Sequence, residues 1–226
     1  MRLMNSTMGI RGIGRGVLIG CHVLAIAAAA VGQEQQLDLA EIRKNNFATI
    51  DKQRVQAWCQ QRIKLIMASK TPMKDAPAFV TEVNGHILAA DATNAFKTGM
   101  VEAVATAFAA QYKPATDGKN PAAFGSLVLL AFLRTYDNPA ATACYKLAIN
   151  DAFAGVRLVA ADGLLKSKLT PQDWDGLLPD LQKRASAETD PATMDRFYRV
   201  LTMNGGPAID RAVPALLAIM DARLTR

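Results

Sequence analysis

The chain has 226 residues, half of them hydrophobic, only 6% aromatic, with a formal net charge of +6. That length suffices for one domain with a sizeable core, and abundant Ala and Leu with few β-branched runs favour helix over sheet. The first 32 residues hold Arg2, Arg11 and Arg15 and no acid, so without them the charge falls to +3. A domain so mildly charged gives no case for nucleic-acid binding, which wants a basic face or stripe.

Residues 1–32 read as a secretory signal peptide. The three arginines precede an apolar run from Val17 to Val31, small residues close it at Ala28-Ala29-Ala30-Val31-Gly32, and Gln33 opens a polar stretch. An uncleaved anchor is the second reading, since the run is short for a span of about 20 residues. The third is a lipoprotein modified at Cys21, on the strength of Leu18-Ile19-Gly20-Cys21. The expected location is therefore outside the cytoplasm, periplasmic or secreted, with membrane contact only through this segment. Residues 33–226 form the expected folded domain.

Leu37, Leu39 and Ile42 suggest a frayed or capping helix. A better helix runs from Asp51 to Ser69, with Val55, Trp58, Cys59, Ile63 and Ile66 on one face. Lys52, Arg54, Arg62 and Lys64 fill the remainder and read as a solvated face. Thr71-Pro72 through Pro77 reads as a break, followed by a short helix interrupted near Asn84-Gly85. Asp91 is a candidate cap for a helix to about Tyr112, striped by Phe96, Met100, Val104 and Phe108. Lys113 to Asn120 is loop-like, and its Gly118-Lys119 lacks the rest of a phosphate-binding loop.

From there the prolines act as a ruler. Asn120-Pro121, Asn138-Pro139, Thr170-Pro171, Asp190-Pro191 and Gly206-Pro207 each put a cap-type residue before a proline suited to the first helical turn. They predict a helix every 16 to 20 residues and a hairpin every 35 or so. Leu177-Leu178-Pro179-Asp180-Leu181 and Ala212-Val213-Pro214-Ala215-Leu216 align at a separation of 35. Ser126 to Leu133, apolar nearly all round, predicts a helix between neighbours. The last helix carries Ile209, Val213, Leu216, Leu217 and Met220 as its apolar positions, with a polar face opposite.

Asp151 to Leu165 predicts a tightly packed helix inside a row of similar helices. Phe153, Val156, Ala160 and Leu164 share a face, and the small Ala161 and Gly163 allow close approach. Asp151, Val156-Arg157, Ala160-Ala161 and Leu164, at these spacings, resemble the second helix of a HEAT repeat. The two proline-containing segments resemble the first helix of such a repeat. The resemblance implies an all-α solenoid of stacked antiparallel helical hairpins, each touching mainly its neighbours. It also implies that Asp151 sits at an inter-helix turn and that Arg157 meets that carboxylate or one on the next repeat. Read without it, Asp151 is a helix cap, Arg157 is solvated, and an irregular helical bundle is the alternative fold. The Val-Arg pair is missing from Pro139–Asn150 and from Pro191–Met203.

The sequence nominates no catalytic, cofactor or metal residue. His86 stands alone without a nucleophile motif. One His and two distant Cys supply zinc poorly. Asp173, Asp175 and Asp180 lack the calcium-loop pattern and read as acids of a helix start. Cys59 and Cys144 are expected as buried, unpaired thiols, because 85 residues of a stack separate them. The expected function is a non-enzymatic scaffold for a protein or peptide partner. The alternative is an envelope accessory protein that binds a small ligand or polysaccharide.

Overall fold

A computed structural model describes residues 37–116, 120–203 and 209–225, the side chains of Met203 and Ile209 apart. The expected signal peptide with Cys21, the Gly118-Lys119 pair and the Gly206-Pro207 cap lie outside the described residues. The chain divides into two units, Met1–Leu37 and Asp38–Arg226, and all the helices described belong to the second. They are α1 (Leu39–Ile42), α2 (Thr49–Ala68), α3 (Pro72–Ile87), α4 (Asn94–Gln111) and α5 (Ala122–Arg134). After these come α6 (Ala140–Ala148), α7 (Ala154–Lys166), α8 (Pro171–Ala187), α9 (Pro191–Met203) and α10 (Ile209–Leu224). No strand occurs among the described residues, so the fold is all-α.

The helices start where their first turns can be satisfied. Asn120 and Asn138 each accept an amide two residues on, from Ala122 at 3.0 Å and Ala140 at 2.9 Å. Thr170 and Asp173 form a reciprocal capping box, and Asp190 Oδ1 accepts the Thr193 amide at 2.8 Å. The proline ruler therefore locates α5, α6, α8 and α9. It fails at the expected break. Pro72 is the first residue of α3, which continues unbroken through Pro77 and Gly85 to Ile87. Pro77 forfeits one backbone bond, but on the exposed side of the helix, where water can take the freed carbonyl of exposed Met73. Burial of Ala76, Phe79, Val83 and Ile87 on the opposite face outweighs that loss. Asp91 is not the cap of α4. Thr93 is, through the Phe96 amide, while Asp91 faces Arg43.

With one exception, every helix from α2 to α10 makes its broadest contact with the helix two places away in the chain. Thus α2 packs on α4, α3 on α5, α5 on α7, α7 on α9, and α8 on α10. The exception is α6, which meets α7 even more broadly than α4. Phe96, Met100, Val104 and Phe108 are fully buried along α4, as are Val55, Cys59 and Ile63 of α2. Phe47 reaches this core from a left-handed backbone (φ 51°). It is 3% exposed, and its ring lies edge-on to Phe96 over Gly99. Cys59 and Cys144 are free and buried. The Cys59 thiol lies 3.9 Å from Met100 Sδ, and the Cys144 thiol donates to the Ala105 carbonyl at 3.2 Å.

Helix α7 is tightly packed, with Val156, Ala160, Ala161 and Leu164 fully buried between α5, α6 and α9. Its first residue is Ala154, so Asp151 to Phe153 belong to the approach and not to the helix. The Tyr145 ring lies directly over Gly163, where an added Cβ would stand 2.5 Å from ring carbon Cε1. Gly163→Ala is therefore expected to cost about 1–3 kcal/mol by forcing a rigid aromatic to move. Gly85 has open space around the same position. Gly85→Ala is expected to raise stability by about 0.4–1 kcal/mol, as a helical alanine restricts the unfolded chain. Urea titration of the two variants checks both signs.

Candidate functional site

The best-defined polar cluster surrounds the turn before α7. Asp151 is 1% exposed. One of its carboxylate oxygens accepts the Tyr112 hydroxyl at 2.6 Å and the Ala115 amide at 2.9 Å, and the other accepts the Phe153 amide at 2.7 Å. Burial, followed by the bond to Asp151, holds the Tyr112 phenol far above its ordinary pKa. Arg157 does not meet the Asp151 carboxylate. Its Nη1 donates to the main-chain carbonyls of Asp151 and Ala152, both at 2.8 Å. Its Nε and Nη2 form a two-pronged pair with Glu188 at 2.6 and 2.7 Å. Glu188 follows α8 much as Asp151 follows α6, 37 positions later, and it too accepts amides of its own turn, from Thr189 and Asp190. Of the two partners the resemblance implied for Arg157, the later carboxylate is the one observed.

Such an arrangement locks turns together and does little chemistry. The Arg157 side chain is 11% exposed and that of Glu188 1%, and every charged oxygen and nitrogen of the pair faces a partner. Two further arginines repeat the device. Arg184 donates to the side chain and carbonyl of Asn150, and Arg223 donates to the carbonyls of Ala185 and Glu188. Packing between α6 and α8 is sparse, and polar side chains span that step: Lys146 to Asp173 and Asn150 to Asp180.

The other residues weighed from sequence are dispersed. His86 Nδ1 lies 3.3 Å from Arg43, and burial, then Arg43, lower its pKa. Asp173, Asp175 and Asp180 do not converge, because each faces a different partner: Lys146, Arg211 and Asn150. Lys52, Arg54, Arg62 and Lys64 are exposed, and Arg62 pairs with Glu82 across to α3. Among the described residues no three His, Cys, Asp or Glu side chains gather as a metal site. Nor is any described helix long and apolar enough to cross a membrane.

The surface feature that sequence reasoning missed lies on α10. Its buried side is Ala212, Ala215 and Ile219. Four large apolar side chains face out, with Val213 47%, Leu217 61%, Met220 54% and Leu224 83% exposed. Spacings of four, three and four residues put these four on one stripe of the helix. The outer side, expected to be polar, thus carries an apolar stripe beside exposed Asp210, Arg211 and Asp221, because α10 sits on α8 and α9 through Ala212, Ala215 and Ile219. The signal was present in the sequence: Ala212 and Ala215 offer a second face that permits closer helix approach than Val213 and Leu217 do. Compared with protein-family models, curated proteins and solved structures, the chain finds no match in any of the three.

Proposed function

We propose that this chain is an exported, non-enzymatic scaffold of stacked helical hairpins, and that it binds a protein or peptide partner through the bare stripe of α10. The solenoid reading is supported by the two-place rhythm of helix packing, which is how successive hairpins bury one another. It is supported again by the 35-residue alignment, since Pro179 and Pro214 fall inside α8 and α10, which pack together. Export rests on the composition of residues 1–32.

The observation that carries the binding role is the stripe itself. Four large apolar side chains in register on one helix face mark an interaction surface more strongly than the same residues scattered. The fitting partner is an amphipathic helix whose apolar side lies along Val213, Leu217, Met220 and Leu224, as helices already lie on one another within the fold. Leu217→Glu is expected to leave stability within about 0.5 kcal/mol of the parent, because the position is exposed. It should abolish capture of any partner that the parent retains from envelope extract. Retention of the same proteins by parent and variant would count against this face.

A further inference from the structure

A second surface, unrelated to α10, is a groove of about 510 Å³ where the C-terminal ends of α5 and α7 meet the start of α6. Its lining carries three cations, Arg134, Lys166 and Lys168, against one carboxylate, Asp137. Lys166 and Lys168 are exposed and make no ion pair among the described residues. Arg134 pairs with Asp162 at 2.7 Å, and Asp162 also meets Arg196, which has a second carboxylate in Asp195. The carbonyl ends of α5 and α7 bring partial negative charge here, and the amide end of α6 brings partial positive charge. The excess of whole positive charges decides the sign.

The floor supplies the more specific observation. Tyr145 lines the groove and is 3% exposed, yet its hydroxyl makes no hydrogen bond among the described residues. Its ring is fixed over Gly163. The hydroxyl oxygen itself still reaches the groove, so water or a ligand there supplies its acceptor. Burial keeps the phenol protonated at neutral pH, so it presents a donor. The Thr142 hydroxyl lines the same groove and also makes no hydrogen bond among the described residues. The volume lies within the range of small-molecule sites.

We propose that this groove binds a small oxyanion, a molecule bearing a phosphate or a set of carboxylates. Its charge is met by Lys166 and Lys168, with Arg134 beside them, and one of its acceptor atoms takes the Tyr145 hydroxyl. The assignment is independent of the scaffold reading and adds a ligand to it.

Titration calorimetry on the full chain tests this with inorganic phosphate and with citrate, each against potassium chloride at matched ionic strength to remove simple screening. Saturable binding of either anion is expected, and which one saturates tells phosphate chemistry from carboxylate chemistry. The double variant K166A/K168A should weaken that binding about tenfold or more. Tyr145→Phe should weaken it about two- to tenfold, the worth of one neutral hydrogen bond. Its melting temperature without ligand should stay at the parent value, because the ring is kept and no internal bond is lost. Absence of saturable binding for both anions at millimolar concentration overturns the proposal. So does equal binding by parent and variants, or a large loss of stability in Tyr145→Phe without ligand.

Discussion

Arg157→Ala is expected to lower the free energy of unfolding by about 3–5 kcal/mol, the usual penalty for removing one member of a buried ion pair. The loss has two parts. Glu188, with 1% of its side chain exposed, is left charged without its guanidinium. The carbonyls of Asp151 and Ala152 lose their donor as well. Adding Glu188→Gln should restore part of the loss, because the stranded charge goes with it. Urea titrations of the parent, both single variants and the double variant give the coupling directly. The effect should also depend on pH. Burial raises the Glu188 pKa, but the bonds from Arg157 and from the Asp190 and Thr189 amides outweigh it, and the carboxyl titrates below its ordinary 4.5. A carboxyl depressed by folding stabilises fully above the unfolded value and loses that contribution as pH falls through the folded one. The gap between parent and Arg157→Ala should therefore be widest near neutrality and narrow as pH falls below about 4.5, down to the part owed to the two carbonyls, which does not titrate. Asp173 adds to the same acid loss. The hydrogen bond from Lys146, then those from Thr170, hold it at about 2, so its share fades between 3.8 and about 2.

Asp151→Ala should be comparably severe, at about 3–5 kcal/mol, because two buried donors and one part-buried donor lose their acceptor together. Those donors are the Tyr112 hydroxyl and the amides of Ala115 and Phe153. Asp151→Asn is the finer test. The amide keeps the shape, but it replaces one oxygen with a donor, and both oxygens already accept from donors. Whichever way it turns, a donor meets a donor, and about 1–3 kcal/mol should be lost. Adding Tyr112→Phe to Asp151→Asn should cost less than the sum of the two single changes, since the hydroxyl bonds a neutral amide more weakly than the carboxylate it replaces. A full additive cost, read by urea titration, would mean that the three bonds do not act as a unit.

What could be read from the chain alone followed the range of each interaction. Caps and first-turn prolines act within three residues, and the starts of α5, α6, α8 and α9 were legible for that reason. Apolar stripes act within one helix, so the buried faces of α2, α4 and α7 were legible too. Pro77 was misread because whether a mid-helix proline is tolerated depends on what the far side of the helix buries. The outer face of α10 was misread for a related reason. Ala212 and Ala215 compete with Val213 and Leu217 for the inward side, and only the surface of α8 and α9 decides between them. Glu188 as the partner of Arg157 was not legible, since the resemblance implied only the Asp151 carboxylate or an unspecified later one. The groove could not be read at all, because Arg134, Tyr145 and Lys166 come from three helices that the chain visits in succession.

The two described thiols have a consequence for how the fold meets reductants and oxidants. Neither can ionise readily, since burial pushes Cys144 up to about 12 and Cys59 higher still, and thiolate is the form that exchanges or oxidises. Neither reaches the other or the solvent. Among the described residues the fold therefore holds no disulfide, and added dithiothreitol should leave its melting curve untouched.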